Sequence, residues 1–208
     1  MEIKQDNVDK LVRECWTSVQ RKIESGHPLS SEKTLVFLFA TEVVKRCKDN
    51  KLKIDFEYYA YKKIKGSSRY LDLLFYTDDK FKVALEFKFP KKSSRNNSNR
   101  TQNRRAVYRD LARLKFLKGT NSPDKNIKAC YFIMAVNEDE YLNNKNLKKF
   151  ENFLTKHGHK LDVSKKYKID GIELCGANYE FEWENIISLQ DNQCRIDGIF
   201  AYLKEIRV

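Results

Sequence analysis

Three charged residues, Asp72, Glu86 and Lys88, interrupt apolar segments that have the character of buried strands. Asp72 lies in the segment LDLLF at 71–75, and the other two lie in ALEFKF at 84–89. Burying an unpaired carboxylate costs several kcal/mol, so Asp72 and Glu86 are expected to share a cation. A divalent metal satisfies both carboxylates at once, and hard oxygen ligands suit Mg²⁺, with Mn²⁺ as a substitute.

The geometry of a β-hairpin allows these three side chains to converge. Side chains alternate along a strand, so Glu86 and Lys88 point to the same face, and a hairpin folds Asp72 back toward them. A strict two-residue turn at Asp78 and Asp79 would place Asp72 opposite Leu85, on the wrong face. The sequence therefore requires a three-residue loop or a β-bulge that shifts the register by one residue.

Metal-bound carboxylates beside a lysine suit the hydrolysis of a phosphodiester bond. The reaction needs a positioned water, relief of charge in the transition state and stabilisation of the leaving oxygen, all of which metals on Asp72 and Glu86 could provide. Lys88 would orient or help to deprotonate the water while its charge stabilises the transition state. A role as a neutral amine would require a lowered pKa. One metal and two metals remain alternatives.

The arrangement of Asp72, a gap of 13 residues and then Glu86-Phe87-Lys88 resembles the PD-(D/E)xK nuclease superfamily. The resemblance covers roughly Ser30 to Val136, and Leu71 replaces the proline of the motif. It implies an α/β fold with a restriction-endonuclease-like core, in which a mixed central β-sheet is flanked by helices. It also implies Mg²⁺-dependent endonuclease activity on DNA.

Many members of this superfamily also place a glutamate on the helix before the first strand, where it assists the metal. Glu32 looks like that residue. The alternative is that Glu32 only stabilises the first turn of its helix, where the helix dipole favours a carboxylate. Glu42, farther along the same helix, is the competing candidate.

The segment 91–105 carries many basic residues and no acid, and it directly follows the strand of Lys88. A phosphate-binding arm is the functional interpretation, and an ordinary solvated loop is the alternative. Gln102 is a further candidate on the next helix, although its spacing from Tyr108 does not match the RecB-like subset of the superfamily. The predicted nucleic-acid-binding residues are Lys91, Lys92, Arg95, Arg100, Gln102, Arg104 and Arg105.

The net charge of the whole chain agrees with a polyanionic partner. Its 208 residues include 41 lysines and arginines against 29 acids, a formal charge of +12. Such an excess favours nucleic acid, because binding releases condensed counterions, although a basic surface can also serve only solubility. The expected partner is DNA, with RNA not excluded.

Hydrophobic periodicity predicts elements in an α/β order, with a buried second helix capped by Ser30 or Ser31. In chain order the predictions are a helix at about Asn7–Glu24, a helix through Leu35–Val44, a strand at Ile54–Tyr61, hairpin strands at Tyr70–Tyr76 and Phe81–Phe89, a helix near Val107–Leu117, a strand at Ile127–Val136, a helix at Tyr141–Phe153, strand-like patches near Ile172 and Phe181, and a short helix near Ile196–Leu203.

The remaining features predict one cytoplasmic domain spanning 1–208, with a core at about 30–136, a helical N-terminal segment and a C-terminal extension. The sequence shows neither a signal peptide nor an apolar run of the roughly 20 residues that a membrane span needs. The five scattered cysteines are expected to be reduced core residues. Gly158, between His157 and His159, is interpreted as a helix cap rather than as part of a metal pair.

These observations together predict a restriction or other defence endonuclease. The alternatives are a repair or junction-resolving nuclease, and a non-catalytic nucleic-acid-binding or assembly protein with the same fold. In the last case Asp72 and Glu86 would serve only as ion-pair partners of lysines. Nucleases that cut two strands are often dimers, so a homodimer remains open.

Overall fold

The computed structural model describes residues 2–48, 50–62, 64, 69–91, 100–119, 122–143, 153–162, 164–169, 171–176, 178–188 and 199–208. Its elements are α1 (Val8–Glu24), α2 (Glu32–Arg46), β1 (Lys53–Tyr58), β2 (Leu71–Asp78), β3 (Phe81–Lys88), α3 (Arg100–Lys118), β4 (Ile127–Val136), α4 (Glu140–Asn143), β5 (His159–Lys160), β6 (Tyr167–Ile169), β7 (Ile172–Leu174), β8 (Glu180–Phe181), β9 (Trp183–Ser188), β10 (Ile199–Leu203) and β11 (Ile206–Arg207).

A mixed seven-stranded sheet forms the centre of this α/β protein. Its order is β1-β2-β3-β4-β10-β9, with β11 also paired to β4. The strands β1, β2 and β3 are antiparallel neighbours, whereas β3 and β4 run parallel. A parallel pair needs a crossover connection, and α3 lies in the chain between these two strands.

Helices cover both faces of the sheet, so each strand of its centre is buried on both sides. One core cluster joins α1 and α2 to the side chains of Leu73, Leu85 and Phe87. A second cluster joins α3 to Leu74, Ala84 and their neighbours. Alternate residues of β2 and β3 therefore face different helices, as the period of a strand requires.

Ser31 fixes the start of α2, as the sequence predicts, because its hydroxyl oxygen accepts a hydrogen bond from the Thr34 amide at 3.2 Å. The expectation that this helix is wholly buried is wrong. Phe37 and Val44 are 65% and 53% exposed. Apolar residues all round α2 therefore do not mean burial all round it, because only one side of the helix meets the sheet.

Two further predictions about elements are corrected. The strand predicted to reach Tyr61 ends at Tyr58. The short helix predicted near Ile196 to Leu203 is instead the strand β10, which pairs with β4 and β9 through its described residues. The C-terminal segment thus extends the central sheet, because its apolar residues have the bare edge of β4 available as a partner.

The cysteines that the structure describes are free thiols, and three of them, Cys15, Cys47 and Cys130, are buried. Cys194 lies outside the described residues. Among the described helices, none combines the length and the apolar character needed to cross a membrane.

Candidate active site

The carboxylates of Asp72 and Glu86 meet across the β2–β3 pair. Leu73 is paired with Leu85, and continuing that register by one residue brings Asp72 opposite Glu86. The predicted register shift is present, between Phe75 and Asp78, beside the turn at the end of the hairpin. Without this irregularity the two carboxylates would lie on opposite faces of the sheet.

Hydrogen bonds from the surroundings hold each of the two carboxyl groups in place. The charge of Asp72 is close enough to raise the pKa of Glu86. The backbone amide of Phe87 donates to Asp72 Oδ2 at 2.7 Å, and the hydroxyl of Tyr61 donates to Glu86 Oε1 at 2.7 Å. The pair is therefore positioned by the fold rather than left to move in solvent.

Burial makes it costly for both carboxyl groups to be charged at once. Glu86 is 2% exposed. Its pKa is raised well above its ordinary value, first by burial and then by the neighbouring charges of Asp72 and Asp110. Burial also raises the pKa of Asp72, against the opposing effect of Lys88. Two close acids of this kind hold a proton between them unless another cation replaces it.

The ammonium group of Lys88 lies between carboxylates from two helices. Its Nζ is 3.0 Å from Asp110 Oδ2 on α3, and 3.3 and 3.4 Å from the two carboxylate oxygens of Glu32 on α2. Burial alone would lower the pKa of Lys88, but Asp110, Glu32 and the other nearby acids raise it further than burial lowers it. Lys88 is thus a cation here, which disfavours the neutral-amine role considered from the sequence.

Glu32, rather than Glu42, reaches the site. Glu32 is the first residue of α2, and its Oε2 accepts a hydrogen bond from the Phe89 amide at 3.1 Å. Burial raises the pKa of Glu32, and Lys88 opposes this shift. Glu42 lies ten residues later, about 15 Å along the helix axis. Its carboxylate binds Lys22 and Arg46 instead.

Three buried side chains support the site without having been assigned to it from the sequence. Asp110 is 1% exposed and accepts from Arg113 Nη1 at 3.3 Å, while the Arg113 guanidinium lies 4.4 Å from the ring centroid of Tyr61. The sequence does carry a signal for Asp110, because it falls on the apolar face of α3 with Val107 and Leu114. The part played by the Tyr61 hydroxyl has no comparable signal.

The predicted basic arm is only partly described. Residues 92–99, including Lys92 and Arg95, lie outside the described residues. Lys91, Gln102 and Arg105 are exposed. Helix α3 already begins at Arg100, earlier than the apolar spacing predicts.

Arg100 and Arg104 lie in a different environment from the one predicted for an exposed arm. Arg100 Nε is 2.8 Å from Glu138 Oε2. Arg104 is 2% exposed, and its Nη2 donates to the carbonyl oxygen of Glu140 at 2.9 Å. The acids that follow β4 thus compete with phosphate for both guanidinium groups, because they face the first turns of α3.

The donor set of the site is a pair of carboxylates with a third one beside it. Among the residues that the structure describes, no group of three or more histidines, cysteines, aspartates and glutamates is arranged to hold a metal. Glu32 is paired with Lys88, which leaves the carboxyl groups of Asp72 and Glu86 as the candidate ligands. Two buried oxygen ligands that repel each other fit a hard divalent cation.

The two histidines near Gly158 take part in local structure. His157 Nδ1 accepts a hydrogen bond from the Trp183 amide at 3.1 Å, and His159 stacks on Phe181. Gly158 has a φ of +72° in the turn before β5, a conformation that favours glycine. The helix predicted at Tyr141–Phe153 falls largely outside the described residues. Within them, α4 covers Glu140–Asn143.

Comparisons of the chain with protein-family models, with curated proteins and with solved structures find no match.

Proposed function

We propose that this protein is a divalent-metal-dependent nuclease with a restriction-endonuclease-like core, related in its site to the PD-(D/E)xK superfamily. The observation that carries the proposal is the meeting of Asp72 and Glu86 on neighbouring strands, both with raised pKa values, beside a cationic Lys88. A stable core does not need two mutually repelling buried acids. Strongly shifted groups gathered at one place are typical of functional sites.

The residues divide the chemistry between them. Asp72 and Glu86 would hold Mg²⁺ or Mn²⁺, which supplies an activated water and offsets charge on the phosphate when it is bound. Lys88, kept as an ammonium by Asp110 and Glu32, stabilises negative charge that develops on the phosphate oxygens. Glu32 shares Lys88 and lies beside Asp72, so it either assists the metal or fixes the lysine.

The substrate class follows from charge. A formal charge of +12 favours a polyanion, and DNA is the proposed substrate. Restriction or another form of defence is the proposed role, and a homodimer is the proposed state for cutting two strands. The distribution of charge supports a phosphate-binding surface near Lys91, since this residue follows β3 by three positions and is exposed.

A second candidate function rests on the same contacts. Lys88 already has two carboxylate partners within 3.3 Å, and Asp110 is held by Arg113 as well. Such a network can serve only to stabilise the fold, in which case the chain would be a non-catalytic nucleic-acid-binding or assembly protein. The raised pKa of Glu86 favours the catalytic proposal, because a structural ion pair would lower it.

A cleavage assay separates the two candidates. The purified protein is incubated with supercoiled plasmid, single-stranded DNA and RNA in Mg²⁺, in Mn²⁺ and in EDTA. The nuclease proposal predicts nicked or linear products with either metal and none in EDTA. Intact substrate in every metal condition, together with binding of nucleic acid, would favour the non-catalytic candidate.

A further inference from the structure

Two exposed tyrosine rings form a pair beside two basic side chains. Tyr59 is 36% exposed and Tyr70 is 52% exposed, and their ring centroids are 5.4 Å apart. Arg69 Nη1 donates to the Tyr59 hydroxyl at 3.0 Å, and Lys62 Nζ lies 5.5 Å from the Tyr59 ring centroid. We name Tyr59, Lys62, Arg69 and Tyr70 the tyrosine platform.

The tyrosine platform adjoins the candidate active site through the backbone. Tyr59 is two residues before Tyr61, whose hydroxyl binds Glu86, and Tyr70 is two residues before Asp72. Two residues of extended chain span at most about 7 Å between Cα atoms. The Tyr61 amide also donates to the Arg69 carbonyl oxygen at 3.1 Å, which joins the two segments directly.

A salt bridge brings the start of α2 to the same side of the molecule. Lys33 Nζ is 3.0 Å from Glu57 Oε1, so the residue after Glu32 contacts the residue two before Tyr59. The tyrosine platform, the end of β1 and the first turn of α2 therefore border one region. Glu32, the neighbour of Lys33, pairs with Lys88, which links this region to the candidate active site.

The composition of the tyrosine platform fits one kind of ligand. Exposed aromatic rings offer flat apolar faces, and the two cations beside them attract phosphate groups. A nucleobase with a free face can stack on the rings, and its flanking phosphates can form ion pairs with the two cations. A base inside a duplex is stacked on its neighbours and has no face to offer, except at a frayed or unpaired position.

We propose that the tyrosine platform stacks an unpaired base of a nucleic-acid strand whose neighbouring phosphate enters the site of Asp72 and Glu86. The inference rests on the proposed function and narrows its substrate class. The protein acts on single-stranded nucleic acid, or on duplexes with frayed or flipped-out bases. Tyr59 and Tyr70 are then specificity residues, and Lys62 and Arg69 hold the backbone on either side of the stacked base.

Binding measurements in EDTA test this without cleavage. The probes are a fluorescein-labelled single-stranded oligodeoxynucleotide, the same strand with abasic positions, and a closed hairpin duplex, all titrated with the full chain. The double variant Tyr59→Leu, Tyr70→Leu should bind the single strand about fivefold more weakly or worse, since it keeps apolar bulk but loses both rings. It should bind the abasic strand and the duplex as the wild type does.

Two control variants isolate the rings. Val44→Ala removes an exposed apolar side chain from the last turn of α2, eleven residues after Lys33, and should leave every affinity unchanged. Tyr59→Phe keeps the ring but loses the bond from Arg69, and should retain most of the affinity for the single strand.

The outcomes separate this inference from the proposed function. Wild-type affinity of the double variant for the single strand, or equal losses on the abasic strand, would overturn the stacking role and leave the nuclease proposal standing. Metal-dependent cleavage of the closed duplex at the same rate as the single strand would also overturn the stacking role and leave the nuclease proposal standing. An absence of binding to every probe, with no cleavage in Mg²⁺, would overturn both.

Discussion

Lys88 is the residue whose charge state decides which chemistry the site can perform. Its ammonium lies 3.0 Å from Asp110 and 3.3 Å from Glu32, and these acids raise its pKa despite burial. A base would need the opposite shift. In the proposed nuclease the lysine would therefore act through its positive charge, and a carboxylate or the bound metal would supply the basicity that removes the proton from water.

Replacing Glu86 by glutamine tests whether the paired acids are there for a cation. Glu86→Gln keeps an oxygen for the Tyr61 hydroxyl and a donor for Asp72 but removes one repelling charge. Without metal, the variant should melt at the wild-type temperature or about 2–4 °C higher, which corresponds to about 1 kcal/mol in a chain of this size. Adding Mg²⁺ or Ca²⁺ should raise the melting temperature of the wild type and not that of the variant.

Glu182→Gln is the control for this measurement, because Glu182 forms a salt bridge with Lys204 away from the site. Glu182→Gln should keep the shift that the cation causes. Strong destabilisation of metal-free Glu86→Gln, with no cation shift in the wild type, would contradict the metal site.

Asp110 and Lys88 should behave as a coupled pair. Lys88→Ala leaves the 1% exposed Asp110 with Arg109 and Arg113 as cation contacts but removes its contact with Lys88, and should lower the free energy of unfolding by about 2 kcal/mol. Adding Asp110→Asn should cost less in the Lys88→Ala background than in the wild type, because the contact between Asp110 and Lys88 is already lost there. Urea unfolding of both single variants and the double variant measures the coupling.

Cleavage in the same variants distinguishes chemistry from folding. The double variant Lys88→Ala, Asp110→Asn should be folded yet inactive with Mg²⁺, since the charge that stabilises the transition state is gone. Wild-type cleavage by this folded variant would remove Lys88 from the active site.

At the scale of elements, the β2–β3 hairpin and the start of α2 create the site. The need for a register shift was predictable, because Asp72 and Glu86 share a face only with it, and the shift occurs between Phe75 and Asp78. The helix cap at Ser31 was equally predictable from its residue type. The partners of Lys88 were less predictable, because Asp110 contacts Lys88 only as a result of the packing of α3 on the sheet.

The failures at this scale have a common physical cause. The segment at Ile199–Leu203 was predicted to be helical, yet it is a strand, because β4 offers it an edge to pair with. Helical and strand patterns are hard to distinguish in a short apolar run, and the pairing partner decides. Arg104 was predicted to lie on a phosphate-binding arm, and its burial against Glu140 depends on a tertiary contact that the sequence does not reveal.

Glu42 joins α1 to α2, and its ionisation should contribute to stability. Burial would raise its pKa, but hydrogen bonds from Lys22, Arg46 and Lys45 lower it to about 2, from an ordinary value of 4.5. A lowered pKa stabilises the folded state above pH 4.5, and the contribution is lost as the pH falls from 4.5 to about 2. Neutral pH is therefore in the fully stabilised range.

Glu42→Gln should lower the free energy of unfolding at pH 7 by about 1–3 kcal/mol, because Lys22 and Arg46 lose a charged partner. Its stability should also fall less steeply than that of the wild type between pH 4.5 and 2. Urea unfolding at a series of pH values measures both quantities. Parallel curves for the two proteins would show that the pairing contributes nothing.

At the scale of the whole molecule, the formal charge of +12 includes basic residues that acids of the same chain already bind. Arg100 and Arg104 lie against Glu138 and Glu140, so they contribute less to phosphate binding than their place in a basic segment suggests. Lys91 is exposed, three residues after the end of the strand that bears Lys88. Total charge was predictable from the sequence, but which cations are available to a ligand required the fold.

Lys91→Gln should therefore weaken duplex binding and flatten its salt dependence. Each lost phosphate contact reduces the slope of log K against log salt by about 0.9. Fluorescence anisotropy titrations at several salt concentrations measure the slope, and Lys10→Gln, on the exposed surface of α1, is the matched control. Equal slopes for Lys91→Gln and the control would assign Lys91 to an ordinary solvated surface.

Asp72, Glu86 and Lys88 are proposed to cut nucleic acid with a divalent metal, and the other functional proposals depend on this activity. The most direct measurement compares cleavage of single-stranded and plasmid DNA by wild type, Asp72→Asn and Glu42→Gln at matched folded concentrations, in Mg²⁺, Mn²⁺ and EDTA. Wild type and Glu42→Gln should cut with metal and not in EDTA, whereas Asp72→Asn should be inactive in Mg²⁺ and partly restored by high Mn²⁺. Equal cleavage by Asp72→Asn and wild type, or no cleavage by folded wild type in either metal, would contradict the claim.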